Sequence, residues 1–360
     1  MLRFDFLDAR HGDCFLVRWG DGRVMLVDGG PSPVYQDSLL PYLETLPPTG
    51  NGRRHIDVVC VTHVDDDHIA GIERLLTELS RKQRDGEALP FQVGQTWFNA
   101  ADQIVNSQAP ASAAAVRRLL ATTPRGAASI ASIAQGQRVR TQAKQLGIDL
   151  NVGFPDRTLL SCNRIEVHGL DVKVVAPDTV ALDALLARWR AAESARDAGI
   201  VTAGYTDYSI PNLSSTVLLI EHLERRALLT GDARGDRILS GLEECKLLKS
   251  GARMHVDLLK LPHHGSNNNV TSDFFERIHA DHYVISADGV AHHHPNEQTL
   301  TWLVQSRSPE DIFTIHLTNS IEFAEMALQE LAVGRRFRTA VRHAAEPAAI
   351  VSLGAKAPAP

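Results

Sequence analysis

One stretch constrains this chain more than any other: Thr62-His63-Val64-Asp65-Asp66-Asp67-His68. An apolar run, residues 56–61, precedes it and reads as a buried strand. Residues 69–76 follow with the periodicity of an amphipathic helix. Imidazoles and carboxylates therefore crowd a strand-to-helix turn. Burying that much charge is costly unless something neutralises it. A divalent metal ion does so, and His and Asp are donors that zinc, manganese and iron accept. A solvated acidic turn is the competing reading. It loses ground because donor-type residues recur at other strand ends downstream.

The chain of 360 residues is long enough for a large core, and its net charge of -6 does not advertise a broad basic face for duplex nucleic acid. A local basic groove stays open. Cys14, Cys60, Cys162 and Cys245 are scattered without a CxxC pair; those inside apolar runs are expected as reduced core thiols. The opening residues alternate like a strand and lack a secretory-signal core, and no apolar run approaches a membrane span. The expectation is a cytoplasmic chain with no membrane partner.

Along the chain, residues 2–7, 14–19 and 24–27 read as a β-meander, with Gly20-Asp21-Gly22 as a hairpin turn and Asp28-Gly29-Gly30 ending the third strand. A helix over 36–46 stops at Pro47-Pro48. Residues 91–98 suggest a strand. Residues 101–148 read as a helical insertion, clearest over 127–146. Strands return over 159–176, with Asn163-Arg164 as their turn, and a helix is expected over 179–198. Strands over 216–221 and 226–230 lead to Gly231-Asp232. A further strand, 256–261, ends in Pro262-His263-His264-Gly265-Ser266, and alternating helices and strands carry the chain past His292-His293-His294-Pro295. One domain over 1–343, with the insertion at about 100–150, and an Ala/Pro-rich tail over 344–360 are expected.

Both strand groups end in polar turns. Two sheets packed face to face would bring these turns to one edge. Asp232 would bridge two ions through its two oxygens; His63 and Asp65 would hold one ion, and Asp67, His68 and His264 the other. A water between two such ions ionises near neutral pH, which suits hydrolysis.

These motifs carry a resemblance. His63-x-Asp65-x-Asp67-His68 after a strand resembles the HxHxDH signature of the metallo-β-lactamase superfamily, with Asp65 in place of the middle His. Asp28, Thr230-Gly231-Asp232 and Pro262-His263-His264-Gly265-Ser266 resemble its other motifs. Over roughly residues 2–305, the closer resemblance is to the hydrolase domain of ComEC-type DNA-uptake proteins. Asp8-Ala9-Arg10-His11-Gly12-Asp13 is similar to that group's DVGQGD, and Asn212-x-Ser214-Ser215 and His294-Pro295 recur in the same order. The resemblance implies an α+β, four-layer αββα metallo-β-lactamase sandwich with a helical insertion. It implies a cofactor of two divalent ions, Zn2+ or Mn2+.

Two departures stand out. Asn212 occupies a position where the superfamily usually has a His, and Asp65 replaces another. The first ion would then see more oxygen, which makes Mn2+ competitive.

The metal ligands expected are His63, Asp65, Asp67, His68, Asp232 and His264, with His263 beside them. Because His263 and His264 alternate, only one is expected to face the ions directly, and the family's Pro-Gly-His-Gly favours His264. Asp67 and His294 are the catalytic candidates, His294 for phosphate binding or leaving-group protonation. Asp28, Asp13, His11, Asn212, Ser214 and Ser266 are expected to support ligands or touch substrate. Lys260 is assigned no catalysis. The function expected is a phosphodiesterase or nuclease acting on a nucleic acid or nucleotide. A small-ester, lactone or thioester hydrolase and a non-catalytic subunit with a protein partner are the alternatives, and the oligomeric state stays open.

Overall fold

The computed structural model describes residues 1–50, 52–99, 124–179 and 214–354. Asn212, the aromatic residues Tyr205 and Tyr208, and nearly all of the helix expected over 179–198 lie outside the described residues.

The chain opens with β1 (Leu2–Leu7), β2 (Phe15–Trp19) and β3 (Arg23–Val27), an antiparallel meander in register Phe6↔Phe15 and Phe15↔Val27. A π-helical turn, Tyr35–Leu39, runs into the short α1 (Leu40–Leu43). β4 (Arg54–Cys60) then joins β3 in parallel, and α2 (Asp66–Arg84) follows. β5 (Phe91–Trp97), α3 (Pro124–Gln145) and β6 (Asp149–Leu150) complete the first half. The second half contains β7 (Arg164–Val167), β8 (Leu170–Ala176), β9 (Val217–His222), β10 (Arg225–Leu229), α4 (Gly235–Glu244) and β11 (Met254–Lys260). It continues through α5 (Ser272–Arg277), β12 (Ile278–Ile285), α6 (Glu297–Gln305), β13 (Thr314–Leu317), α7 (Glu322–Leu331), β14 (Arg338–Val341) and β15 (Ala348–Leu353).

The strands form two sheets, ordered β15-β1-β2-β3-β4-β5-β6 and β14-β13-β12-β11-β10-β9-β8-β7. Period-2 alternation decides which side chains fill which layer. Phe4, Phe6, Val17, Met25, Val27 and Val58 meet Val172, Leu218, Leu229 and Leu258 between the sheets. Leu16, Leu26, Ile56 and Val59 point the other way, onto Ile69, Ile72, Leu75 and Leu76 of α2. Val256, Leu259 and Tyr283 do the same on the second sheet, against Ile238, Phe274, Leu300 and Leu328 of the outer helices. The result is helix, sheet, sheet, helix: the mixed α+β sandwich expected.

Two expectations change. The turn between β7 and β8 is His168-Gly169, not Asn163-Arg164: both turn residues take positive φ, 50° and 81°, as a two-residue hairpin requires. The tail from residue 344 is not loose throughout. β15 pairs antiparallel with β1, and Ala349, Val351 and Leu353 enter the inter-sheet core. Cys14 and Cys60 are free and buried, as expected of thiols inside apolar runs, while Cys162 and Cys245 form a disulfide across a sequence separation of 83. Disulfides are rare in reducing compartments, which sits uneasily with a cytoplasmic chain. Among the described residues no helix is long and apolar enough to cross a membrane.

Close backbone contacts seat α2. Gly29 N–H donates to His68 O at 2.7 Å, and Gly71 N–H donates to Gly30 O at 3.0 Å. A Cβ on Gly71 would collide with Gly29 O, so only glycine lets the helix approach the loop after β3. The first turn of α2 is thereby pinned beside the meander.

Candidate metal centre

The functional residues gather where the parallel strands end. Thr62 to Asp65 follow β4, and Asp67 and His68 lie in the first turn of α2. Asp13 precedes β2, Asp28 follows β3, Asp232 follows β10, and His263 and His264 follow β11. Ligand sites commonly form outside the carboxyl ends of such strands.

Asp232 is the hub. Its Oδ1 lies 3.3 Å from His68 Nε2 and 3.6 Å from His264 Nε2. Its Oδ2 lies 3.7 Å from His63 Nε2 and 3.6 Å from His263 Nε2. Asp67 Oδ2 completes the first group, 3.9 Å from His68 Nε2 and 3.8 Å from His264 Nε2. Asp65 Oδ2 stands 3.9 Å from His63 Nε2 on the other side.

Alternation along an extended strand would turn His263 and His264 to opposite sides. Instead both take left-handed backbone, φ 44° and 56°, and both imidazoles face Asp232. Such strain in non-glycine residues persists where the surroundings enforce it. Among the described residues, each side of Asp232 therefore presents two imidazoles and one carboxylate.

Hydrogen bonds fix the imidazole tautomers. His68 Nδ1 lies 2.8 Å from Asp28 Oδ2, and His264 Nδ1 lies 2.8 Å from the Ser286 carbonyl. Nδ1–H donates to each of these oxygens, which leaves Nε2 of both rings facing inward. Asn269 Nδ2 donates to Asp232 O at 3.0 Å, which leaves Asn269 Oδ1 to accept from His263 Nδ1 at 2.7 Å. Thr62 Oγ1 donates to Asp28 Oδ2 at 2.7 Å, so it accepts from His63 Nδ1 at 3.1 Å. Ser215 Oγ accepts from Asp232 N at 3.0 Å and sits 3.5 Å from His63 Nδ1.

Several inward-facing atoms find no hydrogen-bond partner among the described residues. The Nε2 atoms of His63, His68 and His264 and Oδ1 of Asp232 are buried without a hydrogen bond. Buried polar atoms are ordinarily satisfied, so several orphans converging on one point are what a metal ligand set looks like without its ion. Asp67, His68, Asp232 and His264 offer ligand atoms all within 4.8 Å of one another. Charge agrees: Asp13, Asp28, Asp65, Asp67 and Asp232 gather with one lysine among the described residues, Lys260, an excess of carboxylates that bound cations would offset.

Electrostatics follow the crowding. Burial drives His63 down to about 3, helped by His68. Burial also opposes charge on His68, yet the carboxylates of Asp232, Asp67 and Asp28 hold it well above its ordinary value. Burial pushes Asp232 up, but His68, His263 and His264 pull it well below the usual carboxylate range. Asp28 is raised by burial. Asp13 is lowered against its burial by Lys260 and then His264.

The other expected residues have distinct places. His11, His292 and His294 line a small cavity at the mouth, beside His264. The His294 ring lies 5.5 Å from that of His263, and burial lowers it to about 3. A neutral imidazole suits hydrogen-bond donation to an anionic oxygen better than proton delivery. His11 meets His292 at 5.9 Å between rings. Asp66 is exposed and accepts from Gln135 of α3 at 2.7 Å. Ser266 serves its own turn, donating its N–H to His263 O at 2.8 Å. Next to Ser214, Ser215 places its hydroxyl against Asp232 and His63.

Sequence reasoning passed over Thr62, Ser215 and Asn269, and gave Lys260 a salt bridge without naming its partner. Lys260 is fully buried and ion-paired with Asp13, whose carboxylate in turn lies 3.5 Å from His264 Nδ1 and 3.9 Å from His68 Nδ1. A lysine in an otherwise apolar strand end was the available signal for it. Thr62 and Ser215 each adjoin a motif. Asn269 carried none, because its role depends on a turn geometry that sequence does not reveal.

Comparison with known proteins bears on this centre. The family profile described as Metallo-beta-lactamase superfamily matches residues 7–80, a span that includes Asp13, Asp28 and the whole turn from Thr62 to His68. Human microtubule-associated protein 1A is 36% identical over 59 residues; that is 16% of this chain and 2% of that protein's length. Among solved structures, the metallo-beta-lactamase fold protein YhfI from Bacillus subtilis is similar at 11% identity and TM-score 0.43, covering 98% of this chain and 99% of that one. Zn(2+)-bound PqqB from Methylobacterium extorquens is similar at 15% identity and TM-score 0.41, covering 95% and 87%.

Proposed function

We propose that this chain is a metal-dependent hydrolase holding two divalent ions, Zn2+ or Mn2+, and that it cleaves phosphodiesters in a nucleic acid or nucleotide. One observation carries the reading: partnerless buried Nε2 atoms converge with Asp67 on a carboxylate that offers one oxygen to each side. Asp67, His68, His264 and Asp232 Oδ1 would hold one ion; His63, Asp65 and Asp232 Oδ2 would hold the other. When bound, such ions would supply Lewis acidity and would lower the pKa of a water toward about 7.

The chain's own groups do the rest. Asp28, Ser286 and Thr62 hold the imidazoles in one tautomer, so the ligand geometry is set before substrate arrives. His294, at the mouth, donates a hydrogen bond to an oxygen of the substrate. The buried walls exclude bulk water around the reacting groups. The phosphodiester assignment rests on the ComEC-type order of motifs and on imidazole donors at the rim, which suit an anionic substrate.

A chromogenic phosphodiester, single-stranded DNA and a lactone, each assayed with Mn2+ and with Zn2+, test the reading. Hydrolysis of the first two is expected, with Asp67→Ala and His68→Ala losing more than about 100-fold of activity together with bound metal. Turnover of the lactone alone would replace this substrate class with esters. A metal-loaded chain inert on all three would remove the enzymatic reading.

A further inference from the structure

The resemblance leaves the first ion short of an imidazole, and the position where it looks for one, Asn212, lies outside the described residues. We infer that His263 is a ligand of that ion, that Asn269 is the positioning residue that makes it one, and that this outer ion is held more weakly than its neighbour. The inference rests on the two-ion reading above and adds to it an order of strength.

Asn269 is fully buried and spans the two groups it must relate. Its amide nitrogen donates to the main-chain oxygen of Asp232, and its amide oxygen receives His263 Nδ1–H. The first bond fixes which end of the amide faces His263, and the second fixes the ring. His263 Nε2 is thereby aimed at Asp232 Oδ2, 3.6 Å away, on the side where His63 and Asp65 stand. Gly235 N–H also donates to Asn269 O at 2.7 Å, tying the Asn269 backbone to the start of α4.

The difference in strength comes from what stands behind each imidazole. On the inner side, the Asp28 carboxylate backs His68, and Asp13 lies behind both His68 and His264. Carboxylate backing makes an imidazole a stronger donor. On the outer side, His63 has hydroxyls and His263 has a neutral amide. Exposure agrees. The inner imidazoles of His68 and His264 are 0% and 2% exposed, against 0% and 22% for His63 and His263, and the inner Asp67 is 21% exposed against 32% for Asp65.

Titrating the metal-free full chain with Mn2+, read by calorimetry and by the electron paramagnetic resonance of free Mn2+, tests this. The wild type should show two unequal sites. Asn269→Ala should weaken the outer one by about 10–100-fold and leave the inner one within about threefold. His263→Asn, in which the shorter side chain tolerates the left-handed backbone but cannot reach the ion, should show only the inner site; it carries the test if Asn269→Ala fails to fold. Two equal sites in the wild type would overturn the inference, as would both sites surviving unchanged in the variants or both weakening together. No Mn2+ uptake by the wild type would overturn the two-ion reading itself, whereas two sites indifferent to either substitution would overturn only the assignment of His263 and Asn269.

Discussion

At the scale of single residues, the centre depends on groups that never face the ions. Lys260 is the clearest. Its charge is fully buried at the end of β11, where it pairs with Asp13 and donates to Gly231 O at 3.3 Å. Removing one partner of a buried ion pair strands the other, at a cost of about 3–5 kcal/mol. Lys260→Met should therefore lower the unfolding free energy obtained from urea titration by that amount, and Lys260→Met with Asp13→Asn should recover much of the loss, because no charge is then left unpaired. Equal stability of Lys260→Met and wild type would mean that the pair does not hold the loop. The same logic explains why a carboxylate such as Asp28 is tolerated at full burial. It accepts from Thr62 N, Thr62 Oγ1 and His68 Nδ1, each at 2.7–2.8 Å.

At the scale of elements, the parallel strands of the second sheet carry a second histidine pair away from the metal centre. His282 on β12 and His316 on β13 share a hydrogen bond of 3.0 Å between Nδ1 and Nε2. Burial, and then His282, bring His316 from 6.5 down to about 4. Above pH 6.5 neither folded nor unfolded chain is protonated there, so the residue is neutral to stability. Between 6.5 and about 4 the unfolded chain takes up a proton that the folded chain refuses, and stability falls as pH falls. The loss is complete below about 4 and amounts to roughly 3 kcal/mol at most. Stability measured across that window should fall less steeply in His316→Gln than in the wild type; identical slopes would contradict this.

Element by element, what was legible in the sequence followed how local the signal was. The strands flanking Gly20-Asp21-Gly22 and the helix after Asp65 were plain, since period and turn chemistry lie within a few residues. β15 was hidden because its short apolar run lies inside an Ala/Pro-rich stretch, and its partner β1 is at the opposite end of the chain. The turn at His168-Gly169 was misplaced because a histidine in left-handed backbone has weak sequence warning. The Cys162–Cys245 link depends on packing across a long separation, which no spacing rule announces.

At the scale of the whole molecule, two sheets with helices outside bring strand ends from distant parts of the chain to one edge. This convergence was legible, because each motif sat at the end of an apolar run. The orientation of His263 was not. It is set by consecutive left-handed residues and by Asn269, features that belong to the folded loop. The central claim is that Asp232 stands between two ions. Anomalous diffraction from crystals loaded with Mn2+ or Zn2+ tests it most directly. The account predicts two peaks, one among Asp67, His68, His264 and Asp232 Oδ1, the other among His63, Asp65, His263 and Asp232 Oδ2. No peak at Asp232, or a single ion placed away from these side chains, would contradict it.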